Sequence, residues 1–348
     1  MRIKLEAVCE KGSSNLKQSD VVDRIGEYPV YGAAGCIGNV DFYHQEKPYV
    51  AVVKDGAGIG RTALYPGKSS VIGTMQYLLP KEKVLPEYLC YVVRYMHLEK
   101  YFTGATIPHI YFKDYKSEEF NLDSLEKQTE IISILSKVEA IIDARQQELQ
   151  KLEDLIKARF VEMFGNLKTN SKGWKVVRFT DCAEIDTTMI HDFTGYEEYP
   201  HIGIESIQKD TGRLVGYKTI AEDGVISGKY LFTPEHIIYS KIRPNLNKVA
   251  LPDFEGLCSA DAYPILVKKD VCTREYFGYT MRSTFFLDYI LAFSGRTNLP
   301  KVNKKQVEGF SLPLPPIELQ EQFSAFVNQV DKSKVAVQKA LDEAQLLF

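Results

Sequence analysis

The sequence lacks the long apolar runs and the paired cysteines that would place it in several common classes of protein. No stretch approaches the roughly 18 consecutive apolar residues of a membrane span. The first ten residues, MRIKLEAVCE, contain no hydrophobic signal core, so we expect a cytoplasmic protein. The six cysteines form no C-x-x-C pair and the six histidines show no ligand spacing, which favours reduced, buried thiols and argues against a structural metal site.

The sequence also lacks the short motifs that mark common catalytic sites. It contains no G-x-S-x-G, no H-E-x-x-H and no N/D-P-P-Y/F/W stretch of the amino-methyltransferases. The glycine-rich segment 56–62 is not a P-loop, because its glycines lie one residue too close and Arg61 replaces the lysine. It is either a tight connection between strands that needs positive φ, or a backbone that lies close to a phosphate or a base edge. We therefore predict that the chain carries no catalytic site.

Excess charge of either sign is also small. Lys and Arg total 43 and Asp and Glu total 46, which gives a formal net charge of -3. Such a balance repels phosphate weakly, so contact with a nucleic acid has to come from local basic patches. The 348 residues, 45% hydrophobic and 26% charged, are typical of a globular chain large enough for two domains.

What the chain does contain is a long heptad pattern between residues 125 and 164. No Pro or Gly interrupts it before Gly165, so we predict one helix of about 40 residues and about 60 Å. Its apolar residues recur in steps of three and four, which is typical of a helix that packs on a partner helix, and Arg145 and Arg159 stand where the stripe breaks. The seam consists of Ile131, Leu135, Val138, Ile142, Leu149, Leu152, Ile156 and Met163.

A second helix with the same pattern is predicted after Pro315 and Pro316. Its seam consists of Phe323, Phe326, Val330, Val337, Ala340, Ala344 and Leu347, with Ser333 on the same line. We predict that the two helices pair antiparallel, because pairing buries both seams. The second helix is several residues shorter, so the apolar residues around 160–164 either leave the seam uneven or pack on a module or another subunit.

The two halves of the chain repeat each other in the order of their features, at a shift near 187 to 192 residues. The matching segments are 49–54 and 236–241, 63–64 and 250–251, 86–89 and 274–277, 102–106 and 293–297, and 125–128 and 317–320. The sequence therefore predicts an α+β protein. Two repeated α/β domains, 1–123 and 166–315, are separated by the long helices 124–165 and 316–348, which pair as an antiparallel coiled coil.

Each half also carries clustered cations with amide and aromatic neighbours. Arg can fork onto guanine and Asn can pair with adenine, while Lys suits phosphates. The plainer interpretation is a solvated loop, but the clusters fall at equivalent places of a duplicated unit, so we predict that they bind DNA. The candidates are Lys54, Arg61, His109, Tyr111 and Lys113 in the first half, and Lys241, Arg243, Asn245, Asn247, Lys248, Arg296, Asn298, Lys301 and Lys304 in the second.

This pattern resembles the specificity (S) subunits of type I restriction-modification systems. The resemblance covers essentially the whole chain and rests on the duplicated order of four motifs: 31–38 (YGAAGCIG), 55–60 (DGAGIG), 240–245 (SKIRPN) and 310–322 (FSLPLPPIELQEQ). It implies that each α/β module is a target recognition domain that reads one half of a split DNA sequence. It also implies that the coiled coil is a ruler that fixes the spacer between the half-sites.

The resemblance further implies partners and cofactors. Two methyltransferase (M) subunits would dock on the S subunit, and restriction (R) subunits would join that complex. S-adenosylmethionine, ATP and Mg²⁺ would belong to those partners, with no cofactor in this chain. Three other interpretations stay open: a specificity module of a type IIB-like or other DNA-defence complex, a nucleotide-dependent enzyme that uses segment 56–60, and a scaffold without nucleic-acid contact.

Overall fold

The structure is a computed structural model that describes residues 1–56, 58–104, 108–293 and 300–348. These residues pack into two units. The first comprises Met1–Ile141 and Leu347–Phe348, and the second comprises Ile142–Leu346. The division falls inside the long central helix, which therefore begins in the first unit and ends in the second.

The first unit is built from short strands and a few helices. In chain order its elements are β1 (Arg2–Lys4), α1 (Leu5–Val8), β2 (Cys9–Ser13), β3 (Tyr28–Gly32), β4 (Gly35–Val40), β5 (Tyr49–Val53), β6 (Thr62–Tyr65), β7 (Ser70–Val71), β8 (Met75–Pro80), α2 (Pro86–Tyr95), α3 (Phe112–Tyr115), β9 (Glu119–Asn121) and the part up to Ile141 of the long helix α4 (Leu125–Phe164). Two short 3₁₀ turns lie at Gln18–Asp20 and Leu98–Tyr101.

The main sheet of the first unit is antiparallel, with the strand order β2-β8-β5-β6. All five residues of β5, Tyr-Val-Ala-Val-Val, are buried, as expected of a β-branched run covered on both faces. Val50 and Val52 pack with Leu89 and Val93 of α2 in one cluster. The alternate residues of β5 face a second cluster with Val71 and other buried side chains of this unit. Strands β4, β3 and β7 form a smaller sheet, and β1 pairs with β9.

The second unit is also built from short strands and a few helices. Its elements are β10 (Lys175–Arg178), α5 (Phe179–Cys182), β11 (Ala183–Ile185), β12 (Met189–Ile190), β13 (Pro200–Ile202), β14 (Lys218–Thr219), β15 (Lys229–Phe232), β16 (His236–Ser240), β17 (Val249–Ala250), β18 (Gly256–Cys258), β19 (Ala262–Val267), α6 (Arg274–Arg282), α7 (Thr284–Leu291), α8 (Lys304–Glu308), β20 (Ser311–Leu314) and the long helix α9 (Ile317–Leu347). A 3₁₀ turn lies at Pro244–Leu246.

The topology of the second unit repeats that of the first. Its antiparallel sheet has the order β11-β19-β16-β17, in which the fully buried β16 takes the place of β5. The β10–β20 ladder corresponds to β1–β9, α6 to α2 and α9 to α4. The predicted duplication and the α+β fold class are confirmed. The mixed sheet β12-β15-β18-β13-β14 of the second unit was not predicted.

One predicted helix is wrong in its extent. The apolar pattern near residues 276–293 indicates a single helix, but the structure has α6 and α7 there. Ser283 separates them with extended backbone at φ -70 and ψ 156, and its hydroxyl donates to the Thr280 carbonyl oxygen at 2.6 Å. A local side-chain bond of this kind competes with the helical ladder, which accounts for the break.

Within the second unit, the end of α4 packs antiparallel on α9. Lys334 donates to Glu153 at 2.6 Å, the Arg159 guanidinium lies 5.8 Å from the Phe326 ring centroid, and the rings of Phe164 and Phe323 are 5.3 Å apart. Residue numbers rise along α4 while their partners fall along α9, so the predicted antiparallel pairing is confirmed here. In the part of the chain that the structure describes, no helix combines the length and apolarity needed to cross a bilayer.

The aromatic end of α4 does not leave the seam uneven. Phe160 and Phe164 pack on the second module, where the ring centroids of Phe160 and Tyr276 are 5.8 Å apart and those of Phe164 and Tyr276 are 4.7 Å apart. Of the two outcomes that the short second helix suggests, the structure has packing on a module.

A buried glutamine joins each long helix to its module. Gln128 Oε1 accepts from the Leu85 amide at 2.8 Å, and Gln320 Oε1 accepts from the Thr273 amide at 2.9 Å. Leu85 and Thr273 are the residues that immediately precede α2 and α6. Both glutamines are fully buried, and each also donates its amide to main-chain carbonyl oxygens, including that of Pro315 for Gln320. In both units, the glutamine side chain therefore provides a partner for the amide at the start of α2 or α6 and anchors the long helix.

Gln320→Leu should destabilise the second unit. The substitution keeps the volume but leaves the Thr273 amide and the Pro315 carbonyl oxygen without these partners, and each unsatisfied buried group costs about 1–3 kcal/mol. Hydrogen exchange should show faster exchange of the Thr273 amide, with a lower urea midpoint. Gln329→Leu, at an exposed position of the same helix, is the matched control and should change neither. Equal behaviour of the two variants would contradict the anchoring role.

Candidate nucleic-acid interface

The backbone brings together the two halves of each predicted cluster. In the first unit, Gly56 N donates to Pro108 O at 3.0 Å and Ile110 N donates to Lys54 O at 2.9 Å. In the second unit, Arg243 N donates to Pro300 O at 2.8 Å and Val302 N donates to Lys241 O at 2.9 Å. The same pair of bonds therefore joins the segment after the buried strand to a segment 52 to 61 residues further on. Residues that are distant in the sequence thus lie side by side at one edge of each sheet.

In the first unit, this edge presents aromatic rings next to cations. His109 Nδ1 lies 2.6 Å from Asp55 Oδ1, and Lys54 Nζ lies 3.9 Å from the other carboxylate oxygen. The His109 and Tyr111 rings stack with centroids 6.4 Å apart, and Lys113 Nζ lies 5.3 Å from the Tyr111 ring. Tyr111 is 49% exposed. An exposed ring with a lysine beside it can stack on a base or a sugar while the lysine approaches a phosphate.

The glycine-rich segment beside it is a tight connection between β5 and β6. Gly56, Gly58 and Gly60 have φ of 85°, 93° and 82°. A Cβ at Gly60 would stand 2.7 Å from the Glu99 amide nitrogen, so the segment needs glycine for space as well as for φ. Arg61 folds back onto it, and its Nε donates to Gly58 O at 3.2 Å. The strand-connection interpretation of this segment is confirmed.

In the second unit, the corresponding edge presents Arg243 and Asn245, both exposed, on either side of buried Pro244. Arg243 has φ 47° and ψ 58°, the left-handed region, which costs a non-glycine residue about 1–2 kcal/mol. The equivalent residue of the first unit, judged by the shared bond to a proline carbonyl, is Gly56 with φ 85°. The second unit thus holds an arginine in a backbone conformation for which the first unit uses glycine.

Several of the predicted residues bond the main chain of other segments. Asn247 is buried and its amide donates to Arg282 O at 2.8 Å. Lys248 Nζ donates to Ile204 O at 2.6 Å, and Lys304 Nζ donates to Ile185 O at 3.1 Å. Removal from water lowers the pKa of Lys248. These three side chains hold neighbouring loops in place in this conformation.

Two further lysines of the second cluster lie at the surface edge. Lys241 Nζ is 4.9 Å from the Tyr263 ring centroid, and partial burial, followed by the nearby charge of Lys301, lowers the pKa of Lys241. Lys301 is exposed, and its Nζ lies 3.0 Å from Asp261 Oδ1. Lys241 and Lys301 thus lie beside one carboxylate, and the main chain of Arg243 bonds Pro300, the residue before Lys301. Arg296 and Asn298, which complete the predicted set, lie outside the described residues.

Sequence reasoning missed the two carboxylates that hold two of these side chains, His109 and Lys301. Asp55 holds His109 and Asp261 holds Lys301. His109 and Lys301 each form an isolated bridge to the segment after the buried strand, with Asp55 and with Ile242 respectively. Asp55 is adjacent to Lys54, which is the only sequence signal for its role. Asp261 stands 40 residues from Lys301, so the sequence carries no signal for that pair.

Comparison with known proteins is consistent along the whole chain. The family model described as "Type I restriction modification DNA specificity domain" matches residues 1–154 and 171–344. The type I restriction enzyme EcoDI specificity subunit of Escherichia coli is 27% identical over an alignment that covers 96% of this chain and 82% of that protein. The MjaIX specificity subunit of Methanocaldococcus jannaschii is 21% identical, covering 82% and 71%. The crystal structure of a type I restriction-modification S subunit from M. genitalium shares the fold, with a TM-score of 0.62, 13% identity, and coverage of 100% of this chain and 93% of that one.

If Arg243 is strained, Arg243→Gly should be more stable than Arg243→Ala by about 1 kcal/mol, because only glycine adopts the left-handed conformation without cost. Urea unfolding of both variants measures the difference. The matched control is the pair Asn245→Gly and Asn245→Ala within the adjacent 3₁₀ turn, where the alanine variant should be the more stable. An alanine variant at residue 243 as stable as the glycine variant would contradict the strain.

Proposed function

Because this chain belongs to the family of type I restriction modification DNA specificity domains, we propose that it is the DNA sequence-specificity subunit of a type I restriction-modification complex. Each unit supplies one target recognition domain, and each domain reads one half of a bipartite DNA sequence. The match to the family over both halves of the chain favours this function over another DNA-defence complex, a nucleotide-dependent enzyme or a scaffold.

The observation that carries the proposal is the conformation of Arg243. Backbone strain is retained mainly where a side chain has a task, because a less costly residue would otherwise stand there. An exposed guanidinium can fork onto guanine O6 and N7, and the neighbouring Asn245 amide can pair with adenine. Lys241 and Lys301 beside them suit phosphate contacts that set the register on the duplex.

In the first unit, contact with DNA is assigned to residues that do not have a strained backbone. His109, Tyr111 and Lys113 form its exposed aromatic and cationic surface, with Asp55 orienting the imidazole. The two domains therefore present different chemistry at equivalent edges. That difference is what reading two unlike half-sites requires.

The chemistry on DNA is assigned to partner subunits. Two methyltransferase subunits and the restriction subunits would carry the catalytic sites, with S-adenosylmethionine, ATP and Mg²⁺ bound there, and this chain would be non-catalytic. Its net charge of -3 leaves phosphate attraction to local patches, so DNA affinity of the chain alone should be weak and steeply salt-dependent.

The long helices would set the distance between the half-sites. At about 1.5 Å per residue, the 40 residues of α4 extend about 60 Å. A continuous helix without Pro or Gly is stiff, so its length is a physical basis for a fixed spacer.

The proposal is tested by methylome sequencing of cells that lack the gene, complemented with the natural chain or with Arg243→Ala. Deletion should remove one bipartite methylated motif, and complementation should restore it. Arg243→Ala should relax one position of one half-site, since loss of a bidentate arginine–guanine pair costs about 1–3 kcal/mol of discrimination. Arg178→Ala, which removes an exposed arginine outside the cluster, should leave the motif unchanged. An unchanged methylome after deletion refutes the function, and relaxation of both half-sites refutes independent domains.

A matched insertion of one heptad in both helices should lengthen the spacer. Suitable sites are after Gln150 in α4 and after Ala336 in α9, which lie opposite each other near the Glu153–Lys334 contact. Seven residues add about 10 Å, or about three base pairs at 3.4 Å each. Insertion into α4 alone should misalign the seam and impair assembly. If the matched variant methylates the original spacing, helix length is not the ruler.

A further inference from the structure

Two arginines at equivalent positions mark a site beside each main sheet. In the first unit, Arg94 Nε donates to the Thr62 carbonyl oxygen at 3.2 Å. In the second unit, Arg282 Nε donates to the Val249 carbonyl oxygen at 2.9 Å. Thr62 and Val249 are the first residues of the equivalent edge strands β6 and β17. The duplicated fold therefore provides the same spot twice, and the surroundings of the two spots can be compared.

In the second unit, the chain itself covers this spot. The covering segment connects β13 to β14, and its Gly212 lies directly against the spot. A Cβ at Gly212 would collide with the Val249 carbonyl oxygen and would stand 2.6 Å from Arg282 Nη2. Ile207 and Leu214 of the same segment form an isolated bridge and belong to the apolar cluster that includes β17. The place beside Arg282 is thus filled by protein.

In the first unit, the equivalent connection is much shorter. Strands β3 and β13 are equivalent, because they pair in parallel with β7 and β18, the strands that precede β8 and β19. Only Ala33 and Ala34 separate β3 from β4, whereas residues 203–217 separate β13 from β14. A cavity of about 610 Å³ lies at the spot, and Thr62 and Arg94 are among the residues that line it. Its volume suits a ligand of the size of a nucleoside.

The walls of this cavity are apolar and aromatic. They include Val53, Ile59, Met75 and the ring of Tyr65. The Tyr65 ring stacks on the Tyr31 ring, with centroids 4.2 Å apart and an angle of 29° between the planes, so its position is fixed. An aromatic ring within an apolar wall suits a ligand that is itself a flat ring system.

The polar groups of the cavity carry charges of both signs. They are the side chains of Arg61, Arg94 and Glu99. Arg94 Nη1 lies 2.7 Å from Glu139, so the charge of Arg94 is already balanced, and Glu99 would repel an anion. Donors and an acceptor in one place suit the edge of a neutral heterocycle, which presents both. The balance of charge therefore favours a nucleobase over a phosphate.

We propose that this cavity binds one nucleobase, with the ring against Tyr65 and the edge towards Arg61 and Glu99. The base is one that leaves the stack of the DNA read by the first unit, because Gly60 and Arg61 belong both to the cavity and to the segment that begins at the candidate edge. The cavity then adds one position of sequence readout to those that the edge provides. The source of the base rests on the proposed function, whereas the chemistry of the cavity does not.

The first test uses the intact chain and the four deoxynucleosides as probes. Saturation-transfer NMR should show saturable binding of at least one of them, with more transfer to the base protons than to the sugar protons. Deoxyribose 5-phosphate, which has the sugar and a charge but no base, is the matched probe and should show no transfer. Absence of binding by all four deoxynucleosides, or equal transfer to deoxyribose 5-phosphate, would overturn the proposal.

Variants of the chain locate the binding. Ala33→Trp places an indole in the cavity and should weaken binding of the preferred deoxynucleoside at least about tenfold. The matched control is Ala34→Trp, at the adjacent, exposed residue that does not line the cavity, and urea midpoints check that both variants fold. Glu99→Gln, at an exposed position, removes a charged acceptor and should weaken the same binding about tenfold. Binding that Ala33→Trp and Glu99→Gln both leave unchanged would place the site elsewhere and overturn the proposal.

The second test identifies the source of the base. It uses the chain in complex with its partner subunits and a duplex that carries the methylated motif, with a fluorescent base analogue in place of each base in turn. One position of one half-site should show a severalfold rise in fluorescence, because the analogue leaves the stack. Ala33→Trp should abolish that rise and Ala34→Trp should preserve it.

Deoxynucleoside binding without a rise at any position would show a free nucleotide as the source and would overturn the choice of DNA. The nucleoside assay needs neither the motif nor the partner subunits. If deletion of the gene leaves the methylome unchanged, the proposed function fails while the nucleoside assay still decides whether the cavity binds a base. The two failures are therefore distinguishable.

Discussion

The geometry of each unit depends on one buried amide. Gln128 and Gln320 sit at the first turn of a long helix, and each bonds the main chain where the module helix begins. An amide without partners would be costly in that environment, so the bonds fix both the start of the module helix and the origin of the long helix. Tyr88 and Tyr276 add a second bond of the same kind, from their hydroxyls to the carbonyl oxygens of Asn121 and Pro313. A module joined to its helix in this way has little freedom to rotate about the junction.

Much of this architecture is readable from the sequence, because it depends on patterns that repeat. The heptad seams predict α4 and α9, and the matching segments 49–54 and 236–241 of the repeat contain the equivalent strands β5 and β16. The mixed sheet of the second unit is not predictable in this way. Two of its strands, Met189–Ile190 and Lys218–Thr219, have only two residues, which is too short for any periodicity.

The candidate site was predictable in position but not in detail. The sequence indicates which segments carry cations and amides, and the backbone bonds bring those segments together as duplicated edges. It does not indicate whether each side chain points to solvent or bonds another part of the chain. Asn247 and Lys248 stand next to each other and both bond the main chain of other loops, while Arg243 and Asn245 remain exposed. The orientation of a side chain depends on partners that are distant in the sequence, such as Arg282 and Ile204. The local spacing of residues does not identify these partners.

The bonds that align each candidate edge come from main-chain atoms alone, namely Gly56 with Pro108 and Arg243 with Pro300. Any residue other than proline that adopts the local φ can make such a bond, although the positive φ favours glycine. Glycine in one unit and arginine in the other are two examples of that freedom. The chemistry displayed at these edges can therefore change without a change in the main-chain bonds that hold them. The residues that contact DNA can thus change while the fold stays the same.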